Sequence, residues 1–162
     1  MLQIKKLPAE RWSEFKSLRL DALQHDPLAF GSSYEEEINF PDKTWKERIK
    51  DTLFATFNDN PVGMIVFVIN PRIKLSHVAE IFGVYVKEEY RDKKIGKQLI
   101  ESAINLIRQS KSVIKIKLTV TSVQDSAIQL YSSFGFEIVG RLNKELKYED
   151  EFYDGIIMEK ML

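Results

Sequence analysis

"VYVKEEYRDKKIGKQLIESA", residues 84–103, starts as an apolar strand end and finishes as one face of an amphipathic helix. Between the two lies a charged turn, Arg91 to Lys97, with a single glycine at Gly96. A helix N-terminus exposes N–H groups without intrahelical partners and carries partial positive charge, so such a turn can hold phosphate oxygens. Arg91, Lys93, Lys94 and Lys97 add charge around it. The same residues also suit an ordinary solvated basic helix start. The turn is neither a Walker loop nor a dinucleotide fingerprint, because the required glycines are missing.

The elements around this turn set the fold class. Upstream, "SHVAEIFGVYV" reads as a strand, with Gly83 marking a bulge or a close backbone approach. Downstream, Ile95, Leu99, Ala103, Ile104 and Ile107 repeat at helical spacing. "VIKIKLTV" then alternates, with Ile114, Ile116, Leu118 and Val120 on the buried side, as a half-exposed strand. Val78 to Val120 is therefore a strand–helix–strand crossover. "TSVQDSAIQLYSSFG" reads as a short helix capped at Ser122 and Asp125, burying Ala127, Leu130, Tyr131 and Phe134 and stopping at Gly135. The tail predicts two strands around a polar turn.

Towards the N-terminus, "LQIKKL" predicts a strand, and Pro8 opens a helix that Pro27 closes. Ser33 and Glu36 have capping-box spacing, and Thr44 with Glu47 repeats it. One or two short helices are expected over 34–50. "TLFATF", the turn "NDNP" and "VGMIVFVIN" predict a hairpin. The order is β-α-α-β-β-β-α-β-α-β-β, an α/β chain with antiparallel hairpins, and no linker or repeat divides it.

Composition narrows the function. The 162 residues suggest one domain, and a 44% hydrophobic fraction can build a core. The 24 basic and 24 acidic residues cancel, which disfavours nucleic-acid binding through "KSVIKIK" and "RDKKIGK". Without cysteine there are no disulfides, thiolate metal sites or cysteine nucleophiles. No apolar run is long enough for a membrane span, and no signal peptide is expected, so the expected location is cytoplasmic. His25 and His77 read as structural or surface residues, and no metal is expected.

Three further features have two readings each. Tyr131 can donate a proton to a leaving group or be a core aromatic. Glu80, a carboxylate in an apolar strand, can be a general base in a cleft or lie on the solvated side. The run Glu35-Glu36-Glu37 can attract a cationic substrate or be a solvated helix start.

Taken together, the two motifs and the element order resemble the GCN5-related N-acetyltransferases (GNAT). That family's acyl-CoA loop, Gln/Arg-x-x-Gly-x-Gly/Ala, resembles Arg91-Asp92-Lys93-Lys94-Ile95-Gly96, with Lys94 in place of the first glycine. Its signature Asn-x-x-Ala-x-x-Leu-Tyr-x-x-x-Gly-Phe is similar to Gln124, Ala127, Leu130, Tyr131, Gly135 and Phe136. "LRLDALQHDPLAFGSS" looks like the acceptor-side helical segment of bacterial members.

The resemblance implies a single-domain α/β (α+β) GNAT fold over 1–162: a mixed, mostly antiparallel sheet of about seven strands, about four helices and a splayed strand pair. It implies acetyl-CoA as co-substrate and direct transfer to an amine of a small molecule or peptide, without a metal. Val84, Tyr85 and Val86 would hold the pantetheine arm, and residues Arg91, Asp92, Lys93, Lys94, Ile95, Gly96 and Lys97 the pyrophosphate. Gln124 would touch the pantetheine or adenine side. Tyr131 would protonate the leaving thiolate, and Glu80 matches the catalytic glutamate position of the histone-acetyltransferase branch. Tyr34, Glu35 and Tyr153 are candidate acceptor contacts, and a homodimer is expected through the last strands. The rival expectation is a non-catalytic acyl-CoA-binding module, suggested by the lysine at position 94.

Overall fold

The computed structural model describes residues 1–162. Seven strands form one sheet in the order β1-β2-β3-β4-β5-β7-β6. They are β1 (Leu2–Lys5), β2 (Thr52–Phe57), β3 (Asn60–Ile69), β4 (Val78–Val86), β5 (Lys115–Thr121), β6 (Glu137–Tyr148) and β7 (Glu151–Met161). The helices are α1 (Trp12–His25), α2 (Tyr34–Glu37), α3 (Asp42–Arg48), α4 (Ile95–Gln109) and α5 (Asp125–Ser133). The β4–α4–β5 crossover is the parallel connection; β1–β2, β2–β3, β5–β7 and β6–β7 are antiparallel. This is the expected α/β fold with one more α-helix than expected.

The chain forms two compact units, 1–66 with 83–103, and 67–82 with 104–162. In the first, Phe15, Leu18 and Ala22 of α1 pack with Trp45, Ile49, Phe54, Met64 and Tyr85. Phe15 meets the Trp45 and Phe54 rings edge-on at 5.5 and 5.7 Å, the favoured geometry for ring quadrupoles. Ser33 caps α2 by the expected capping box: its hydroxyl accepts from the Glu36 N–H, and its own N–H bonds the Glu36 carboxylate.

In the second unit, β5 pairs with β7 from Lys115↔Met161 to Thr121↔Gly155. Ile116, Leu118 and Val120 are buried, as the alternation predicts. The β4–β5 pairing covers Val78–Glu80 against Lys115–Lys117.

Three local expectations need correction. Helix α3 starts at Asp42 rather than at a Thr44 cap, because Pro41 is already its N-cap and the Thr44 N–H closes the first turn onto the Pro41 carbonyl. Helix α5 is not capped by Ser122, whose N–H is tied to the Asp154 carbonyl; Gln124 is its N-cap, without a side-chain bond. Ile114 is half-exposed ahead of β5, its N–H bonded to the His77 carbonyl, and of the expected α5 face only Tyr131 is fully buried.

Candidate active site

The turn between β4 and α4 is a specific backbone shape. Asp92 and Lys94 both have positive φ, 63° and 59°. The Gln98 N–H bonds the Lys94 carbonyl, so the helix springs from Lys94. The amides of Ile95, Gly96 and Lys97 follow as first-turn donors without intrahelical acceptors. Lysine therefore adopts the left-handed conformation in which the family pattern has glycine, at a cost of roughly 1–2 kcal/mol. Arg91 braces the turn: its Nε donates to the Val86 carbonyl at 3.1 Å, and its guanidinium lies 5.9 Å from the Tyr85 ring centroid. Lys93 Nζ stands 4.9 Å from the Tyr90 ring centroid.

Within β4, Gly83 has φ +64, and an added Cβ would sit 3.1 Å from both Arg19 Nη1 and Val66 Cγ2. The bulge expected at Gly83 is thus both a dihedral and a space requirement. Val84 and Val86 are half-exposed, whereas Tyr85 is buried. The Tyr85 hydroxyl donates to Asp21 Oδ2 at 2.7 Å. Burial first, then that hydrogen bond, pushes its phenol far above the usual range. Only the backbone of Tyr85 is therefore available to a ligand.

The acidic run divides three ways. Glu35 is exposed, Glu36 completes the capping box, and Glu37 is buried. Arg19 holds Glu37 with two bonds of 2.9 Å, and Arg48 Nη1 stands 3.2 Å from the same carboxylate. Burial alone would push the Glu37 carboxyl up, but bonds and charge from Arg19, then Arg48, hold it below its usual value. Tyr34 is half-buried against the α1 core. Arg19 and Asp21 were not singled out from sequence, and Glu37 fits neither reading of the acidic run, since it is buried and paired with Arg19. Their signal was an arginine four residues after Phe15, inside the apolar stripe of α1.

In the second unit, Glu80 is half-buried on β4, in register with Lys117 of β5. Tyr131 is buried on α5, its ring 5.8 Å from Phe136 in edge contact. Burial pushes the Tyr131 phenol well above the usual range. Gln124 starts the same helix, accepting from the Ile128 N–H. The Tyr153 hydroxyl donates to Glu151 at 3.1 Å. No group of three His, Cys, Asp or Glu side chains is placed to hold a metal ion, and no helix is long and apolar enough to cross a membrane.

Comparison with known proteins identifies the family and the fold. Residues 12–136 match the acetyltransferase (GNAT) family, well over half of the chain. The L-amino acid N-acetyltransferase AaaT of Escherichia coli (strain K12) is 29% identical over 125 residues, 74% of this chain and 76% of that protein. A GNAT-family acetyltransferase from Streptococcus pneumoniae superposes with a TM-score of 0.89 at 22% identity, covering 100% of both chains. The structure of yncA from Salmonella typhimurium, solved with its cofactor acetyl-CoA, gives 0.86 at 15% identity, over 100% of this chain and 94% of that one. At such identities the structural likeness shows the fold.

The chain belongs to the acetyltransferase (GNAT) family, and as a member it is an acetyl-CoA-dependent N-acetyltransferase. The rival reading, a non-catalytic module, is not favoured.

Proposed function

We propose that the chain acts as one catalytic domain over 1–162, moving acetyl directly from acetyl-CoA to the primary amine of a small molecule or peptide. The turn at Asp92–Lys97 carries the reading: first-turn amides and lysines together form a donor set suited to a pyrophosphate. Lysine supplies the same backbone N–H as glycine, so its presence at 94 leaves that donor set intact. Val84, Tyr85 and Val86 would offer backbone groups to the pantetheine arm, and Gln124 would touch the pantetheine or the adenine side.

Acetyl-CoA supplies an activated thioester. Glu80 takes a proton from the acceptor ammonium through water, leaving a neutral nucleophile. The Val84 N–H polarises the acetyl carbonyl as nitrogen attacks. The C–S bond breaks as the new C–N bond is made, Tyr131 gives its proton to the departing sulfur, and the second proton leaving the acylated nitrogen returns through water to the Tyr131 phenolate. An ordinary phenol already holds its proton at neutral pH, so Tyr131 meets the first requirement of a proton donor.

An amino acid is the first acceptor to test, because the curated relative acts by its name on L-amino acids. Tyr34, Glu35 and Tyr153 are proposed acceptor contacts; half-buried Tyr34 offers only its outward edge. We assign the enzyme to the cytoplasm and to bacterial-type metabolism, without nucleic-acid or membrane partners. A homodimer would use β6, the edge strand, where Ile138 and Val139 are exposed. Tyr131→Phe is expected to lower turnover ~10²-fold with acetyl-CoA affinity kept. Wild-type turnover in that variant would remove Tyr131 from the mechanism.

A further inference from the structure

We infer that Arg19, clamped by Glu37, is a positioning residue that aims the Val84 N–H by fixing the bulge at Gly83. The inference rests on the proposed role of Val84. Two nitrogens of the Arg19 guanidinium, Nε and Nη2, are bound to the two oxygens of Glu37. The planar fork is therefore held in one orientation. The group is also 4.7 Å from the Phe30 ring centroid, and the residue is only 4% exposed. Its remaining nitrogen, Nη1, lies 3.1 Å from where a Cβ on Gly83 would stand, a contact tight enough that either the guanidinium or the strand would have to shift.

Gly83 lies at φ +64, and its ψ together with the φ of Val84 decides where the Val84 N–H points. A fixed guanidinium against a residue without a side chain therefore defines the direction of the donor that follows it. Glu37 sits on α2 beside Tyr34 and Glu35. The same pair thus registers the proposed acceptor helix against the strand that presents the acetyl group. Against the upward push of burial, Arg19 first and then Arg48, as a second cation, hold the Glu37 carboxyl below its usual value.

The test uses Arg19→Lys, Glu37→Gln, Gly83→Ala and the Arg19→Lys/Gly83→Ala double variant, with acetyl-CoA and a mixture of L-amino acids as probe. Wild-type turnover checks the function itself; the variants check the positioning. Arg19→Lys and Gly83→Ala are each expected to lower kcat per folded molecule by about tenfold or more, with acetyl-CoA affinity little changed. Their effects should not multiply in the double variant, because both act on one bulge. Unchanged kcat in folded Arg19→Lys, or multiplicative effects, would overturn the inference. A second readout needs no acceptor: the backbone amide resonance of Val84 should move in Glu37→Gln, where the altered group is bonded to Arg19. An unmoved resonance in that variant likewise overturns it.

Discussion

Glu37 exchanges water for two arginines, and that exchange makes stability depend on pH. Its folded-state pKa lies below its unfolded value, so its contribution is complete above the unfolded value of 4.5 and is lost as pH falls through the folded one. Thermal melts should hold level from neutral pH to about 5 and then fall, and Glu37→Gln should flatten the acid side. That variant should also cost about 3–5 kcal/mol at neutral pH, because it leaves two cations without their counterion. A wild-type melting temperature that stays level through pH 3 would contradict this. Lys94 combines a strained backbone with a useful charge. Lys94→Gly should weaken acetyl-CoA binding about 2- to 5-fold at low salt, the size of one exposed ion pair, with the gap closing as salt rises. Tighter binding in the glycine variant would show that strain at 94 outweighs its charge.

Single elements show how far local rules reach. Helix α2 is one turn long, too short to persist alone, and its capping box supplies what propensity cannot. Ser33→Ala should cost about 1 kcal/mol, read as a lower denaturant midpoint with unchanged slope. An unchanged midpoint would mean that the Arg19–Glu37 pair alone holds the helix. This cap was legible because it needs only four residues in sequence. The α4 face and the β5 alternation were legible for the same reason: each is a period imposed by one core. The caps expected at Thr44 and Ser122 failed where another residue had a prior claim, a local one at Thr44 and a distant one at Ser122. Pro41 had already started α3, and the Asp154 carbonyl had taken the Ser122 N–H. The partners of Arg19, Asp21 and Glu37 were illegible because pairs such as Tyr85–Asp21 join residues far apart in sequence. No spacing rule reports such a contact. Gly83 was legible as an irregularity, while Arg19 as its neighbour was not.

At the scale of the whole molecule, the order of elements and the two motifs were readable together because each motif sits at a strand–helix junction, whereas the strand order, with β7 between β5 and β6, was not. The basic turn joins β4 to α4, and the tyrosine motif runs through α5 to the residue before β6. Zero net charge supports a small or peptide acceptor over a polyanion. The acceptor itself was not legible, since the contacts proposed for it, Tyr34, Glu35 and Tyr153, lie on a one-turn helix and a hairpin whose chemistry suits many cations. The most direct measurement is release of free thiol from acetyl-CoA across a panel of L-amino acids, peptides, polyamines and aminoglycosides. The account predicts thiol release that requires both acetyl-CoA and a particular amine and falls about 10²-fold in Tyr131→Phe. A folded protein that binds acetyl-CoA yet releases no thiol with any amine would contradict it.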